Sequence, residues 1–385
     1  MDAHAELMDA ARAETGLEDF GDDSFREGLE ILVRSLREEA TLNAVGEMVL
    51  PLRIVASLSQ RLQIEDWYRR HPEIDDEPID APLIGLGLPR TGSTALSCLL
   101  GEDPNARSLR RWESAQPCPP PSTVDGLDPR ITQTEAEVEM QKLTTPRLLA
   151  LVPTSATSPY ECQDLMALDF KSQLFLAFAY IPSYAKWLFD ADLTSTYRYE
   201  RRTLKLLQWG FPAKSWRLKC PNHLLYLDAL DTVFPDARFV MTHRDPAEVL
   251  LSVADLYAEV SKMCCDDIDT KYLGELNVEQ WSLGMDRALA FRDGDADTRF
   301  YDIDFRAMQR DPIGEVQGLY RWLDKPVTDE FEAGMRRWWK ENAENREPHE
   351  ISDPGIYGID FEQVRPLFAE YMQRVPGWTG MQEGT

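Results

Sequence analysis

The chain of 385 residues has few basic side chains and no long apolar run. Lys and Arg total 41 against 67 Asp and Glu, which gives a formal net charge of −26. Such a charge repels nucleic acids and anionic membranes, because Lys and Arg contacts to phosphate carry most non-specific affinity. No apolar stretch approaches the roughly 20 residues that a bilayer-spanning helix needs. We therefore expect no nucleic-acid partner and no membrane span.

Signals for secretion and for disulfide bonding are also missing. Residues 1–6 are acidic and are not followed by the apolar run of a secretory signal. The six cysteines include no Cys-x-x-Cys pair, and the adjacent Cys264 and Cys265 could form only a strained disulfide. These features predict a cytoplasmic protein with reduced cysteines, most of them small buried side chains.

Apolar spacing predicts helices in the first eighty residues. Four apolar residues within 25–39 recur at the spacing of one helix face: Leu29, Leu32, Val33 and Leu36. A second helix is predicted over 44–68. Beyond it, the apolar run 83–88 is too short for a helix and fits a buried parallel strand. A glycine-containing turn and a helical segment at 95–100 follow that strand.

Later segments repeat this alternation of strand and helix. The further predicted core elements are strands at 215–219, 238–243 and 299–303 and helices at 223–233 and 312–323. Helices at 329–344 and 361–374 are predicted to close the chain. This order predicts an α/β, three-layer, P-loop-like fold with a mostly parallel central sheet. We expect one domain, 1–385, with these parts: a helical extension (1–80), the α/β core (81–110 and 215–325), a helical insertion (130–212) and a helical C-terminal segment (326–385).

The turn after the first strand has the glycine spacing of a phosphate-binding loop. Gly87 and Gly92 bracket it, and Ser93 stands where nucleoside triphosphatases have lysine. Backbone N–H groups and the following helix N-terminus would still attract an anion. Arg90 is the cation within the turn. This favours an anionic ligand other than a magnesium-bound triphosphate and weighs against a P-loop kinase.

Two more segments place cations at predicted strand ends. Arg244 ends one strand and is followed by an Asp-Pro helix start, with Ser252 eight residues further along that helix. Arg244 and Ser252 could bind one phosphate together. Lys219 ends another strand and precedes a Pro-x-His-Leu segment that contains His223. In open α/β sheets, ligands bind at the carboxyl ends of the strands.

These three elements, in this order, resemble the sulfotransferases that use 3′-phosphoadenosine 5′-phosphosulfate, particularly the bacterial type of actinobacteria. The resemblance covers about 17–368. It implies that the loop binds the 5′-phosphosulfate, that Arg244 and Ser252 bind the 3′-phosphate, and that Lys219 faces the transferring group. The implied donor-binding residues are Arg90, Thr91, Gly92, Ser93, Thr94, Arg244, Ser252 and, on a late loop, Arg346. His349 is a further candidate there, although Glu347 and Glu350 are unusual neighbours for a phosphate.

The resemblance also sets the expected chemistry. In-line sulfuryl transfer needs stabilisation of charge on the leaving oxygen, a task that fits Arg90, Lys219 and the loop amides without a metal ion. The acceptor hydroxyl also needs a base. Glu113 is our first candidate, by a loose match to protein-tyrosine sulfotransferases. His223 is the second candidate and Glu161 is the third.

The acceptor is less constrained by the sequence. The aromatic-rich segment 140–211 would suit a small, apolar, hydroxylated molecule such as a lipid, terpenoid, sterol or phenol. Alternatively, these aromatic residues build the helical core. Two rival functions remain open, a small-molecule kinase and an inactive nucleotide-binding homologue. The sequence also leaves open whether two copies form a homodimer.

Overall fold

One parallel sheet organises the protein. The computed structural model describes residues 3–152, 154–343 and 352–375. Within those ranges the sheet has five strands in the order β2-β3-β1-β4-β5. Their bounds are β1 Leu83–Gly87, β2 Ala106–Ser108, β3 Ser215–Lys219, β4 Arg238–His243 and β5 Phe300–Asp304. All four strand pairings are parallel, which confirms the predicted α/β class.

The register brings three strand ends together. The central strand β1 pairs with β3 on one side and with β4 on the other. Gly85 lies opposite Lys219, the last residue of β3, and Gly87 lies opposite Thr242 near the end of β4. Because all three strands run in one direction, the segments that follow them emerge at a common edge.

Side chains of the strands point alternately to two hydrophobic cores. Leu83 and Val240 belong to one buried cluster, whereas their chain neighbours Ile84 and Met241 belong to the other. This alternation follows from the two-residue period of a strand, and it requires helices on both faces of the sheet. The predicted three-layer arrangement is therefore confirmed.

The N-terminal extension is helical, as predicted. Its helices are α1 Ala3–Thr15, α2 Ser24–Glu38 and α3 Ala44–Arg70. The fully buried guanidinium of Arg61 in α3 ties this region to the rest of the protein. Its Nε donates to the carbonyl oxygen of Phe20 at 2.7 Å, and its Nη1 donates to that of Leu168 at 3.2 Å.

The middle of the chain is also helical, as the pattern indicates. Its helices are α4 Ser93–Leu100, α5 Arg111–Ala115, α6 Pro129–Thr144, α7 Pro146–Leu151, α8 Gln163–Ala167, α9 Pro182–Asp190 and α10 Thr194–Gln208. Several aromatic residues of this region are buried in the larger core: Phe170, Phe175, Phe178, Tyr184 and Phe189. These side chains therefore build the fold, which is the alternative that the sequence left open for them.

The C-terminal half supplies the remaining helices. They are α11 Leu227–Val233, α12 Pro246–Ser261, α13 Thr270–Arg292, α14 Phe305–Arg310, α15 Pro312–Trp322, α16 Asp329–Ala343, α17 Pro354–Tyr357, α18 Phe361–Leu367 and α19 Ala369–Arg374. Short 3₁₀ helices lie at Pro72–Asp76, Pro121–Thr123, Gln173–Ala177, Pro221–Leu225 and Asp295–Arg299.

Some elements differ from the sequence predictions. Strand β2, which is only three residues long, and helix α13 were not predicted from the sequence. Apolar residues of α13 are not confined to one stripe, because this helix packs against several neighbours. The segment predicted as one helix over 361–374 divides after Leu367. Pro366 lacks an N–H group and clashes with the preceding turn, which explains the break.

The helices and the cysteines bear on two further predictions, which concern membrane spans and disulfide bonds. Across the described ranges, every helix is too short or too polar to cross a bilayer. All six cysteines are buried and unpaired.

Candidate active site

The loop between β1 and α4 has an unusual backbone. Arg90 and Gly92 both have positive φ angles, of 62° and 86°. At Gly92 a side chain would also be crowded, because a Cβ atom would lie 3.1 Å from the Phe305 ring. Helix α4 begins directly after this glycine, at Ser93. The glycine therefore permits the sharp turn that a phosphate-binding loop requires.

Thr91 fastens this loop to the sheet. Its hydroxyl donates to the carbonyl oxygen of Leu88 at 2.8 Å and lies 2.6 Å from the hydroxyl of Thr242 in β4. Thr91 is fully buried. Its side chain therefore holds the shape of the loop, a role that the sequence could not distinguish from ligand binding.

Arg90 and Arg244 meet beside the loop. Arg90 Nε donates to Ser252 Oγ at 3.2 Å, and Arg90 Nη1 donates to the carbonyl oxygen of Leu151 at 2.6 Å. Arg244 Nη1 in turn donates to the carbonyl oxygen of Arg90 at 3.1 Å. Burial, followed by the charge of Arg244, lowers the pKa of Arg90. Two nearby cations of this kind favour the binding of an anion between them.

Arg244 has local partners as well. Its Nη2 lies 3.0 Å from Glu248 Oε2 on the first turn of α12, and its guanidinium lies 4.8 Å from the centre of the Phe305 ring. Asp245 caps the same helix by accepting from the N–H groups of Ala247 and Glu248. The cap fixes the direction in which α12 leaves β4, and thereby the position of Ser252.

Lys219 forms the other cationic part of the site. Its Nζ donates to Glu161 Oε1 at 2.6 Å and lies 3.4 Å from Thr94 Oγ1. The lysine side chain is 6% exposed and that of Glu161 is 24% exposed. A cation, a carboxylate and a hydroxyl from the loop helix thus meet at the end of β3.

The chain around Glu161 is held in place by backbone hydrogen bonds. The N–H of Tyr160 donates to the carbonyl oxygen of Leu109 at 2.8 Å. The N–H of Cys162 donates to the carbonyl oxygen of Lys219 at 3.2 Å. Glu161 lies between these two anchors, so its carboxylate has a defined position next to Lys219.

Glu113, our first candidate for the base, lies in a different setting. Its Oε1 accepts from Arg107 Nη2 at 2.6 Å, and its Oε2 accepts from the backbone N–H of Arg110 at 3.0 Å. The second contact belongs to a capping box at the start of α5. Both carboxylate oxygens of this buried residue are therefore engaged in structural contacts.

His223, the second candidate, lies inside the core. Its Nδ1 is 3.0 Å from the hydroxyl of Tyr197. Burial lowers its pKa to about 3, so the imidazole is neutral and weakly basic near pH 7. The side chain of His223 is closed off from solvent.

Cys162, Glu200 and His223 form a buried cluster, in which Cys162 directly follows Glu161 in the chain. Their potential ligand atoms lie within 4.8 Å of one another. Burial raises the pKa of Glu200 to about 8, which favours its neutral form at pH 7. The two buried atoms Glu200 Oε2 and His223 Nε2 have no hydrogen-bond partner. Neutral side chains are the forms that such a setting stabilises.

The late loop that carries Arg346 and His349 lies outside the described residues. The other predicted donor residues converge at the carboxyl ends of β3, β1 and β4. They are Arg90, Thr91, Gly92, Ser93, Thr94, Arg244 and Ser252, and the predicted catalytic residue Lys219 lies with them.

Comparison with known proteins identifies the family. The model of the Sulfotransferase family matches residues 82–329, about two thirds of the chain. This chain belongs to the sulfotransferase family. The match spans the loop, the Lys219 strand and the Arg244–Ser252 segment, so the predicted family is confirmed.

Two solved bacterial structures agree over almost the whole length. Sulfotransferase STF9 from Mycobacterium avium is 34% identical, with a TM-score of 0.90, over 98% of this chain and 97% of its own. Sulfotransferase STF1 from Mycobacterium tuberculosis H37Rv is 32% identical, with a TM-score of 0.84, over 95% of this chain and 98% of its own. None of the curated sequences compared with the chain matches it.

The sequence did not predict three of the groups at or beside the site. Thr242 supports the loop, the carbonyl of Leu151 accepts from Arg90, and Asp255 lies one helical turn beyond Ser252. Thr242 could have been found, since it stands two residues before Arg244 at the same strand end. A backbone carbonyl contributed by a distant helix leaves no sequence signal.

Proposed function

We propose that this sulfotransferase transfers a sulfuryl group from 3′-phosphoadenosine 5′-phosphosulfate to a hydroxyl group of a small acceptor. The observation that carries this proposal is the convergence of Arg90, Arg244, Ser252 and Lys219 at one edge of the sheet. In a protein with a net charge of −26, such a local concentration of positive charge favours a specific anionic ligand.

Different parts of the site bind different parts of the donor. The backbone of Gly92 to Thr94 and the side chain of Arg90 bind the 5′-phosphosulfate in this proposal. Arg244 and Ser252 bind the 3′-phosphate, which distinguishes this donor from ATP. The contacts of Arg90 with Ser252 and of Arg244 with the Arg90 carbonyl support a shared site. Arg346 remains a proposed further contact.

Transfer then requires one exchange of bonds at sulfur. The acceptor oxygen forms a bond to sulfur while the bond between sulfur and the 5′-phosphate oxygen breaks. The electron pair of the broken bond stays on that oxygen, so adenosine 3′,5′-bisphosphate leaves with increased negative charge. Lys219 and Arg90 stabilise this charge in the proposed mechanism, and their fixed positions limit reorganisation during the step.

Glu161 is the base that the geometry favours. Its carboxylate is partly exposed and lies beside Lys219, whereas both oxygens of Glu113 are engaged and His223 is closed to solvent. In our proposal, Glu161 accepts the proton of the acceptor hydroxyl as the new oxygen–sulfur bond forms.

The acceptor is proposed to be a small hydroxylated molecule, and the protein is proposed to act in the cytoplasm. Lipid, terpenoid, sterol and phenol acceptors remain the sequence-based prediction. Polar groups also lie close to Glu161. Arg53 Nη2 donates to Asp164 Oδ1 at 2.7 Å, three residues after Glu161 in the chain. A panel of neutral, phenolic and charged carbohydrate alcohols with labelled donor would test the class. Activity on charged carbohydrates alone would contradict an apolar acceptor.

Calorimetric titration tests the donor assignment. We expect tight binding of adenosine 3′,5′-bisphosphate without Mg²⁺ and weak binding of ATP. A small-molecule kinase would give the reverse order. An inactive homologue would bind the bisphosphate but form no sulfated product with any acceptor. Mass spectrometry of cells that lack the gene would reveal the physiological product as a sulfate-bearing compound that disappears.

A further inference from the structure

A closed ring of contacts links the donor loop to helix α7 and helix α12. Arg90 reaches α12 through Ser252 Oγ at 3.2 Å and reaches the last residue of α7 through the Leu151 carbonyl at 2.6 Å. At the other end of α7, Arg147 Nη2 donates to Asp255 Oδ2 on α12 at 2.8 Å. One end of α7 therefore contacts α12, the helix that carries the proposed 3′-phosphate site, directly, and the other end is linked to it through Arg90.

Asp255 occupies a special position in this ring. It lies three residues after Ser252, so both side chains project from the same face of α12. Asp255 is buried, and its carboxylate accepts from Arg147, from Ser352 Oγ at 2.7 Å and from the Tyr357 hydroxyl at 2.9 Å. One carboxylate thus joins α7 and the segment 352–357 to α12.

Charge makes these contacts stronger than ordinary surface pairs. The Arg147–Asp255 bond is charge-assisted, and Asp255 is shielded from water. Arg147 also lies 3.1 Å from Glu259, one turn further along α12. The side chain of Arg147 is half exposed, which makes Asp255 the buried anchor of the pair.

We propose that Asp255 is a positioning residue for donor binding. It fixes α7, and α7 presents the Leu151 carbonyl that holds one side of the Arg90 guanidinium. Ser252 holds the other side. Asp255 therefore sets the orientation of Arg90 toward the donor without touching the donor itself. This inference rests on the proposed function, since it assumes that Arg90 contacts the 5′-phosphosulfate.

The test compares bisphosphate binding and kinetics in Asp255→Asn and wild type. Asp255→Asn should weaken adenosine 3′,5′-bisphosphate binding about tenfold and raise the donor KM similarly, while kcat at saturating donor stays within about twofold. Arg147→Met breaks the ring and should reproduce the loss. Tyr357→Phe removes one of the two contacts of Asp255 to segment 352–357 and keeps the Arg147 contact, so it should leave donor binding within about twofold.

A double-mutant cycle separates positioning from plain destabilisation. In an Arg90→Met background, the additional substitution Asp255→Asn should change bisphosphate affinity by less than about twofold, because Arg90 is then absent. Asp169→Asn is the matched control. Asp169 is another buried carboxylate that accepts from several hydroxyl groups, but its partners Ser24, Ser195 and Thr196 lie outside the ring.

Each outcome has one meaning. If wild type fails to bind the bisphosphate, the proposed donor is wrong. If wild type binds and Asp255→Asn binds equally well while remaining folded by thermal unfolding, the positioning role is wrong. An undiminished effect of Asp255→Asn in the Arg90→Met background would equally overturn it. Should Asp255→Asn fail to fold, Arg147→Met, which changes a half-exposed side chain, decides the question in the same cycle.

Discussion

Lys219 Nζ and Glu161 Oε1 lie 2.6 Å apart at the carboxyl end of β3, although 58 residues separate them in the chain. The pair joins a cation that can stabilise a leaving oxygen to a carboxylate that can accept a proton. Both functions are required in one step of sulfuryl transfer. This arrangement shifts the expected base from Glu113 to Glu161, and it is directly testable.

Replacement of Glu161 by Gln should lower kcat by about 10²- to 10⁴-fold, because the amide cannot accept the acceptor proton. Binding of adenosine 3′,5′-bisphosphate should change little. Glu113→Gln is the control. It should retain kcat while it lowers the free energy of unfolding by roughly 1 kcal/mol through loss of the Arg107 ion pair. Full turnover in the Glu161 variant would refute our assignment.

Replacement of Arg244 by Met should reduce selectivity for the 3′-phosphate. We expect adenosine 3′,5′-bisphosphate to bind about 10- to 100-fold more weakly, the usual range for a charge-assisted hydrogen bond, and adenosine 5′-phosphate to be almost unaffected. Arg336→Met is a matched control, because Arg336 also pairs with a glutamate four residues away, Glu332. Equal small effects in both variants would mean that Arg244 is an ordinary surface charge.

Replacement of Gly92 by Ala should both destabilise the protein and weaken donor binding. A positive φ costs an alanine roughly 1–2 kcal/mol, and the new Cβ would also crowd the Phe305 ring. Gly126→Ala measures the cost of the positive φ alone, since Gly126 has a φ of 76° and open space around it. Urea unfolding and calorimetry should therefore show a greater loss for Gly92→Ala. Identical losses would argue against the packing effect of Phe305.

The buried Glu200 should make stability depend on pH. Burial raises its folded-state pKa from 4.5 to about 8, so the folded protein retains a proton that the unfolded chain releases. The free energy of unfolding should then fall as the pH rises from about 4.5 to 8, by up to about 5 kcal/mol at roughly 1.4 kcal/mol per pKa unit. Glu200→Gln should lose this contribution. If the free energy of unfolding changes with pH in the same way in wild type and in Glu200→Gln, the proposed contribution of Glu200 is wrong.

Local patterns in the sequence predicted most elements of the fold. The helices of the N-terminal extension, strands β1, β3, β4 and β5 and the loop before α4 all follow from short-range spacing of apolar residues and glycine. Strand β2 escaped prediction because three residues carry too little pattern. Helix α13 escaped because a helix that packs on several sides has no single apolar stripe.

The sequence by itself determined the donor side of the candidate site. Gly92 and the cations at two strand ends mark it, because parallel strands bring their carboxyl ends to one edge. The tertiary structure alone decided which acid lies beside Lys219. Glu113 and Glu161 are both candidates in the linear sequence. Long-range backbone contacts, among them those of Tyr160 with Leu109 and of Cys162 with Lys219, bring Glu161 to the strand end, and such contacts follow from chain packing that no local spacing encodes.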